Sequence, residues 1–142
     1  MPDIRHSIQI SADPETVYPL VATAKGFSQG WAADVTESAG AVDLGFFNRA
    51  TVFRLRLTID KPAGLAQWTF ETGAGWSGTH IALRLEKRGS GTVVQFTHGG
   101  WQADTDYFVS CNTTWGEPMF RLKAAAEGRP RGPLFLAIGM TY

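Results

Sequence analysis

Apolar and polar residues alternate along most of the first hundred positions, which is the period of strands with one buried face. The alternation is clearest from Thr51 to Asp60, where Phe53, Leu55 and Leu57 are separated by polar side chains. The same pattern predicts a first strand from Ile4 to Ile10. Further strands are predicted at Trp31–Ser38, Ala41–Asn48, Leu65–Thr72, Trp76–Lys87 and Thr92–His98.

Helical signals interrupt and then end this series of strands. The run from Asp13 to Glu15 is typical of a helix start, because proline fits the first turn and acidic residues favour that end. A second short helix or turn is predicted over Lys25 to Trp31. After Asp104 the apolar residues recur at spacings of three and four until Gly128, which predicts one long helix. These repeated positions are Phe108, Cys111, Trp115, Met119, Leu122 and Ala126.

The predicted order is β-α-α, six further strands and a final long helix. A helix with one apolar stripe and an antiparallel sheet with one apolar face bury those surfaces most economically against each other. We therefore expect an α+β fold in which a curved antiparallel sheet wraps around the C-terminal helix. Residues 1–130 form the predicted domain, and residues 131–142 form an apolar C-terminal tail.

Composition narrows the class of protein. The chain has 142 residues, 44% of them hydrophobic and 12% aromatic, which suits one domain with a large apolar interior. Thirteen basic and thirteen acidic residues cancel, so the chain has no overall field to attract nucleic acid. The single Cys111 is typical of a reducing compartment. With no signal-peptide pattern and no membrane-spanning apolar run, we expect a cytoplasmic protein.

Several short segments follow one another in an order found in one superfamily. They are Ile8–Ile10, Ala12–Tyr18, Trp31, Trp76–Thr79, Gly91–His98, Trp115, Leu122–Lys123 and Glu127–Gly128. With the element order, they resemble the START-like, or SRPBCC, superfamily and its helix-grip fold. Within it, the chain resembles the C-terminal domain of the heat-shock-protein-90 ATPase activator and the polyketide cyclase/dehydrase-like proteins. The resemblance implies a deep apolar cavity under the long helix, and it carries over no shared catalytic residue.

The segment VVQFTHGGW contains the first candidate for chemistry. By alternation, His98 shares the inward face of its strand with Val94 and Phe96. A histidine there is a general base, a hydrogen-bonding group in a pocket, or a structural residue packed on Trp101, and the structural interpretation is favoured. Tyr107 lies on the side of the long helix that carries Cys111 and Trp115. These residues either face the cavity, with the Tyr107 hydroxyl beside His98, or pack in the core, and core packing is favoured for Cys111.

The predicted ligand pocket combines these residues with the apolar side chains of the strands. His98 and Tyr107 are predicted to be catalytic only if the protein is an enzyme. No spacing of histidine, cysteine or acidic residues indicates a metal site, and no cofactor is predicted. Arg54 and Arg56 are interpreted as a solvated outer face rather than an anion site. The predicted pocket residues are Trp31, Phe53, Leu55, Leu57, Trp68, Phe70, Leu83, Phe96, His98, Tyr107, Cys111 and Trp115.

Three functions stay open at this point, and binding of a small hydrophobic or aromatic ligand is favoured. The first alternative is a cofactor-free polyketide cyclase/dehydratase-like enzyme that uses His98 and Tyr107. The second is a chaperone-associated protein-interaction module. The apolar run from Pro133 to Ile138 is predicted to be a lid over the cavity or a contact between subunits, which favours a homodimer. The identity of the ligand is not specified by the sequence.

Overall fold

The computed structural model describes residues 2–73, 75–136 and 139–140 of the chain. Seven antiparallel strands form one sheet in the order β1-β7-β6-β5-β4-β3-β2. Two short helices, α1 and α2, follow the first strand, and the long helix α3 follows the seventh. The elements are β1 Ile4–Ile10, α1 Pro14–Ala22, α2 Ala24–Gly30, β2 Asp34–Ser38, β3 Ala41–Phe46, β4 Thr51–Lys61, β5 Leu65–Thr72, β6 His80–Arg88, β7 Gly91–Gly99 and α3 Asp106–Ala126.

This architecture confirms the predicted α+β fold. The chain leaves β1, forms both short helices and returns as a meander from β2 to β7, so that β7 pairs with β1. The first and second strands are therefore the two edges of the sheet. The apolar stripe of α3 is buried against the inner face of the sheet through Cys111, Trp115, Met119 and Leu122.

Two predicted strand starts were too early. The strand predicted from Trp31 begins at Asp34, because Trp31 closes α2 by donating its backbone N–H to the carbonyl of Phe27. The strand predicted from Trp76 begins at His80, because the preceding residues form turns that are hydrogen-bonded back to the end of β5. In both places a tryptophan that alternation assigned to a strand lies in a loop.

The hairpin between β3 and β4 also differs from the prediction. The strand predicted to end at Asn48 ends at Phe46, because Phe47 and Asn48 have positive φ angles of 54° and 55°. Within β4 the register against β5 shifts between Leu57 and Ile59, which is typical of a β-bulge. Leu57 is consequently only half-buried.

One end of the interior is closed by α1. Val17 and Val21 have 0% and 2% exposure, and both belong to the main apolar cluster. Trp68 donates its indole N–H to the carbonyl of Val21 at 2.8 Å. Tyr18 hydrogen-bonds Asp60, which ties the helix to the end of β4. This part of the core is filled by side chains.

The C-terminal end of α3 is attached to the edge strand β1. Lys123 Nζ donates to the carbonyl of Gln9 at 2.8 Å, and Glu127 Oε2 accepts the backbone N–H of Ser11 at 2.8 Å. Lys123 and Glu127 also pair with each other at 2.6 Å. Hydrogen bonding from Lys123 lowers the pKa of Glu127 to about 2, so the carboxylate stays charged.

The tail after α3 returns to the end of α2. Leu134 is fully buried, and Phe135 donates its backbone N–H to the carbonyl of Trp31 at 2.9 Å. The carbonyl of Phe135 accepts the backbone N–H of Ala33 at 2.8 Å. Two very short strands, β8 Phe135–Leu136 and β9 Gly139–Met140, pair beyond this point. Positions 137 and 138 of the predicted apolar run lie outside the described residues.

No helix in these described ranges is both long enough and apolar enough to span a membrane.

Candidate ligand-binding cavity

A cavity of about 600 Å³ lies at the end of the interior opposite α1. It is bounded by the N-terminal half of α3, the β3–β4 hairpin, the turn before β6 and the tail. Its walls are largely aromatic, and the side chains that form them are Trp31, Phe46, Phe53, Trp76, Trp115 and Phe135. Cavities of this size hold small organic molecules.

The aromatic walls support one another through ring contacts. Trp76 stacks on Phe53 with ring centroids 4.6 Å apart and an angle of 23° between the planes. Trp76 also stacks on Trp115 at 5.6 Å and 23°. Phe135 meets Phe46 edge to face at 5.0 Å. These contacts hold the rings in fixed orientations, so the cavity has flat walls.

Glycines allow the turn that carries Trp76 to approach its neighbours. At Gly73, where φ is +145°, an added Cβ would lie 2.2 Å from a ring carbon of Phe53. At Gly75, where φ is +78°, an added Cβ would lie 2.6 Å from the ring of Tyr107. Both the backbone conformation and the available space therefore require glycine at these two positions before Trp76.

Polar groups line one part of the cavity, and they come mainly from α3. Burial raises the pKa of Tyr107 to about 12, and it also raises the pKa of the Cys111 thiol. Both groups are protonated at neutral pH. The remaining polar side chains in the lining are Thr51, Ser110 and Thr114. No charged side chain of the described residues lines the cavity.

His98 is fully buried and does not line this cavity. Its Nδ1 accepts the indole N–H of Trp115 at 3.1 Å, so the ring proton is on Nε2. Nε2 then donates to Thr79 Oγ1 at 2.8 Å, and this hydroxyl donates to the carbonyl of Trp76 at 2.6 Å. The chain of hydrogen bonds connects the two tryptophans that form the cavity wall.

The environment of His98 keeps the imidazole neutral. Burial, with a smaller contribution from the charge of His80, lowers the pKa of His98 to about 3. A protonated ring would have a second N–H in place of the acceptor that Trp115 uses. The neutral form is therefore the form that fits the hydrogen bonds present.

The structure brings some of the predicted pocket residues together and separates others. Trp31, Phe53, Tyr107, Cys111 and Trp115 line the large cavity. Leu83 and Phe96 border a separate space of about 50 Å³ on the other side of Trp31 and Trp115. The remaining predicted residues are Leu55, Trp68, Phe70 and His98, which lie in the packed interior, and Leu57, which is half-buried at the bulge.

Sequence reasoning missed several residues of the cavity wall. Trp76 was assigned to a strand, although Gly73, Gly75 and Gly78 around it are typical of a loop that presents an aromatic side chain. Phe46 falls within a predicted strand, and the alternation does not indicate that its side chain lines a cavity. Phe135 belongs to the tail, and no local pattern indicates that a segment beyond a helix terminator returns to the cavity.

Arg54 and Arg56 lie away from the cavity. Arg54 binds Asp43 through two hydrogen bonds of 2.8 and 2.9 Å, and Arg56 pairs with Glu71 at 2.9 Å. Both arginine side chains are 43% exposed. Each guanidinium is thus bound to a carboxylate on a solvated face of the sheet.

The chain has the helix-grip fold of the SRPBCC superfamily, which confirms the resemblance inferred from the sequence. It is similar to the solution structure of the Aha1 dimer from Colwellia psychrerythraea, with 29% sequence identity and a TM-score of 0.79. That match covers 91% of this chain and 98% of the other. No protein-family model and no curated protein matches the chain.

Two further solved structures share the fold at low identity. CalU16 from Micromonospora echinospora is 15% identical with a TM-score of 0.70, and the match covers 90% of this chain and 76% of the other. DynU16, a protein of the dynemicin biosynthetic locus, is 14% identical with a TM-score of 0.72. This chain is covered to 92% in that match but spans only 49% of DynU16.

Proposed function

We propose that the protein binds a small, largely aromatic molecule in the cavity between α3 and the β3–β4 hairpin. The observation that carries this proposal is a space of about 600 Å³ whose walls are aromatic rings and whose lining has no charged side chain among the described residues. Apolar walls with a few polar groups are the usual composition of a small-molecule site.

The shape of the walls supports an aromatic ligand. Trp76 and Phe53 are stacked, and both also line the cavity, so a flat molecule would extend an existing set of ring contacts. Phe135, which belongs to the tail, adds a further ring to the lining of the cavity. An aliphatic chain would gain the same burial of apolar surface but would lose these ring contacts.

Catalysis by His98 and Tyr107 stays a prediction, and the arrangement favours binding over turnover. Both nitrogens of His98 already bond Trp115 and Thr79. The imidazole is absent from the cavity lining, and its lowered pKa makes it a weak base at neutral pH. We infer that His98 acts on the cavity indirectly, by holding Trp115 and the Trp76 turn in place.

A matched pair of variants tests the cavity itself. Thr114 lines the space, whereas its neighbour Thr113 is exposed and does not. The protein should be purified from its source organism and analysed by native mass spectrometry, with organic extraction of any bound molecule. We expect a stoichiometric apolar ligand in wild type and in Thr113→Phe, and its loss in Thr114→Phe. Wild-type protein of apo mass that takes up nothing from a library of aromatic compounds would refute the proposal.

We propose that the protein is a homodimer, and a group of exposed apolar side chains indicates where the two subunits meet. Phe47, Leu136 and Met140 are 50%, 44% and 44% exposed, and Phe47 and Met140 also line the cavity. The similar Aha1 structure from Colwellia psychrerythraea is a dimer. We propose that a second copy of this chain covers these side chains, because exposed apolar groups close together usually mark a contact.

Light scattering coupled to size-exclusion chromatography tests the dimer. Leu136→Glu should give a monomer, because the substitution places a charge in the proposed contact. Phe120 is 60% exposed on α3 and lies outside the proposed surface, so Phe120→Glu is the control and should stay dimeric. A monomeric wild type at high concentration would contradict the proposal.

A further inference from the structure

One buried polar group beside the cavity has no hydrogen-bond partner. Trp76 is 7% exposed, and its indole Nε1 is buried with no acceptor in hydrogen-bonding geometry. An indole nitrogen is a donor only, so it cannot be satisfied by a second donor. A buried donor left without an acceptor destabilises the folded state, and such groups are rare in native structures.

The groups around this indole place the unsatisfied donor at the polar part of the cavity. The Trp76 indole lies near the side chains of Tyr107 and Cys111 without meeting an acceptor in hydrogen-bonding geometry, and burial outweighs its favourable effect on their ionised forms, so the pKa of both groups is raised. All three residues line the cavity. Tyr107 is 46% exposed in the first turn of α3, so this corner of the cavity lies at its opening.

The same corner of the cavity has hydrogen-bond donors but no positively charged side chain. Tyr107 and Cys111 are protonated at neutral pH, and the lining has no arginine, lysine or histidine among the described residues. An anion would lose its hydration here without a cation to replace it. A neutral oxygen acceptor would meet a donor at a smaller cost of dehydration.

We propose that the ligand is a neutral aromatic compound with a carbonyl-type oxygen, which accepts a hydrogen bond from Trp76 Nε1 between the side chains of Tyr107 and Cys111. The aromatic body then lies against the rings of Phe53 and Phe135. This inference rests on the proposed binding function and adds the polarity, the charge and the orientation of the ligand.

Three probes of the same size separate these properties. 2-Acetylnaphthalene has the acceptor, 2-ethylnaphthalene lacks it, and 2-naphthoate replaces it with a charge. In equilibrium dialysis we expect the ketone to bind about tenfold more tightly than the hydrocarbon, since one satisfied buried donor has about that effect. The naphthoate should not bind at the concentrations that saturate the ketone.

Two tryptophan variants assign the effect to one indole. Trp76→Phe retains a ring and removes the N–H, so the ketone should lose its advantage while the hydrocarbon binds as before. Trp101 is also buried and its Nε1 also lacks a partner, but it does not line the cavity. Trp101→Phe is therefore the matched control, and it should keep the full preference for the ketone.

The outcomes distinguish this inference from the proposal that the cavity binds a small aromatic molecule. Equal binding of ketone and hydrocarbon by the wild type would overturn the role of the Trp76 N–H and leave the cavity proposal intact. Tight binding of the naphthoate would overturn the neutral ligand. Failure of all three probes to bind would count against the cavity proposal and the inference together. If Trp101→Phe loses the preference for the ketone as fully as Trp76→Phe does, the loss reflects a general loosening of the core, and the role of the Trp76 N–H is overturned.

Discussion

The two ends of the space between the sheet and α3 are built from similar residues but packed differently. Beneath α1, the side chains of Val17, Val21 and Trp68 leave no large space, and Trp68 has its indole N–H satisfied by Val21. At the other end, Trp76 and its aromatic neighbours enclose about 600 Å³, and the Trp76 indole N–H is unsatisfied. We call these regions the filled end and the open end.

The difference follows from what covers each end. A regular helix covers the filled end, and its small branched side chains interdigitate with the strands. The open end is covered by a turn and by the tail, in which Phe135 is held through two backbone hydrogen bonds. The aromatic rings of the open end rest on one another, which opposes collapse into the space between them. The tightly packed part of the interior and the proposed binding cavity are thus spatially separated.

The largest effect is expected in the packed interior. Leu55 is fully buried and lines neither of the two spaces between the sheet and α3, so Leu55→Ala should leave a new void. We expect a loss of about 3 kcal/mol in the free energy of unfolding. Equilibrium denaturation in urea measures this loss. A loss below about 1 kcal/mol would show that the interior around Leu55 is less tightly packed than the structure indicates.

The hydrogen bonds of His98, which connect Trp115 to the Trp76 turn, predict that the stability of the protein falls in acid. His98 is neutral when folded, with its pKa near 3, whereas an unfolded histidine titrates near about 6.5. The unfolded state therefore binds the extra proton first, and stability is lost as the pH falls from about 6.5 towards 3. One such group accounts for about 2.5 kcal/mol between about pH 7.5 and pH 4.5.

The control for this pH dependence is His98→Gln, which keeps an acceptor and a donor but does not titrate. Urea denaturation at a series of pH values should give a shallower slope for the variant than for the wild type. The variant leaves every other side chain unchanged, so the difference between the two slopes reports His98 alone. Parallel slopes would show that His98 accepts a proton in the folded state.

A smaller loss of stability is expected at the open end. Phe135 contacts Phe46 and Phe47 on one side and the cavity on the other. Since part of its surface already lacks contacts, Phe135→Ala should cost about 1 kcal/mol, well below the cost of Leu55→Ala. The same variant should weaken binding of an aromatic ligand. A stability loss equal to that of Leu55→Ala would erase the distinction between the packed interior and the open end.

The smallest effect on stability is expected when the cavity is filled. Thr114→Phe should change the free energy of unfolding by no more than about 0.5 kcal/mol, because both residues have similar helix propensity and the ring enters free space. Thr113→Phe on the exposed face should behave in the same way. A large loss in Thr114→Phe alone would mean that the space is narrower than described.

The fold was predictable because each helix and strand has its own periodic pattern of apolar residues in the sequence. Strict alternation in Thr51–Lys61 and the regular recurrence of apolar residues in α3 each follow from the period of one element. Burial of one apolar face against another then leaves few arrangements. The strand starts at Trp31 and Trp76 were wrong because alternation continues through residues whose backbone has already turned.

The cavity was only partly predictable, for a different physical reason. Tyr107, Cys111 and Trp115 were correctly placed on one face of α3, since helical spacing determines that face. Whether a buried apolar residue touches a void or a neighbour depends on the full three-dimensional packing. Leu55 and Phe53 have equivalent positions in the pattern, yet only Phe53 faces the space. Phe135 reaches it through tertiary contacts alone.

The ion pair between Lys123 and Glu127 has a consequence for how the sheet can grow. A sheet is extended when the open edge of an outer strand finds another strand, and an unprotected edge is a site of aggregation. Here the Lys123 ammonium binds the carbonyl of Gln9 in β1, and the Glu127 carboxylate binds the amide of Ser11, just beyond the end of that strand. The two side chains thus occupy backbone groups that a neighbouring strand would otherwise use. Addition of a strand along this end of β1 would first have to displace them.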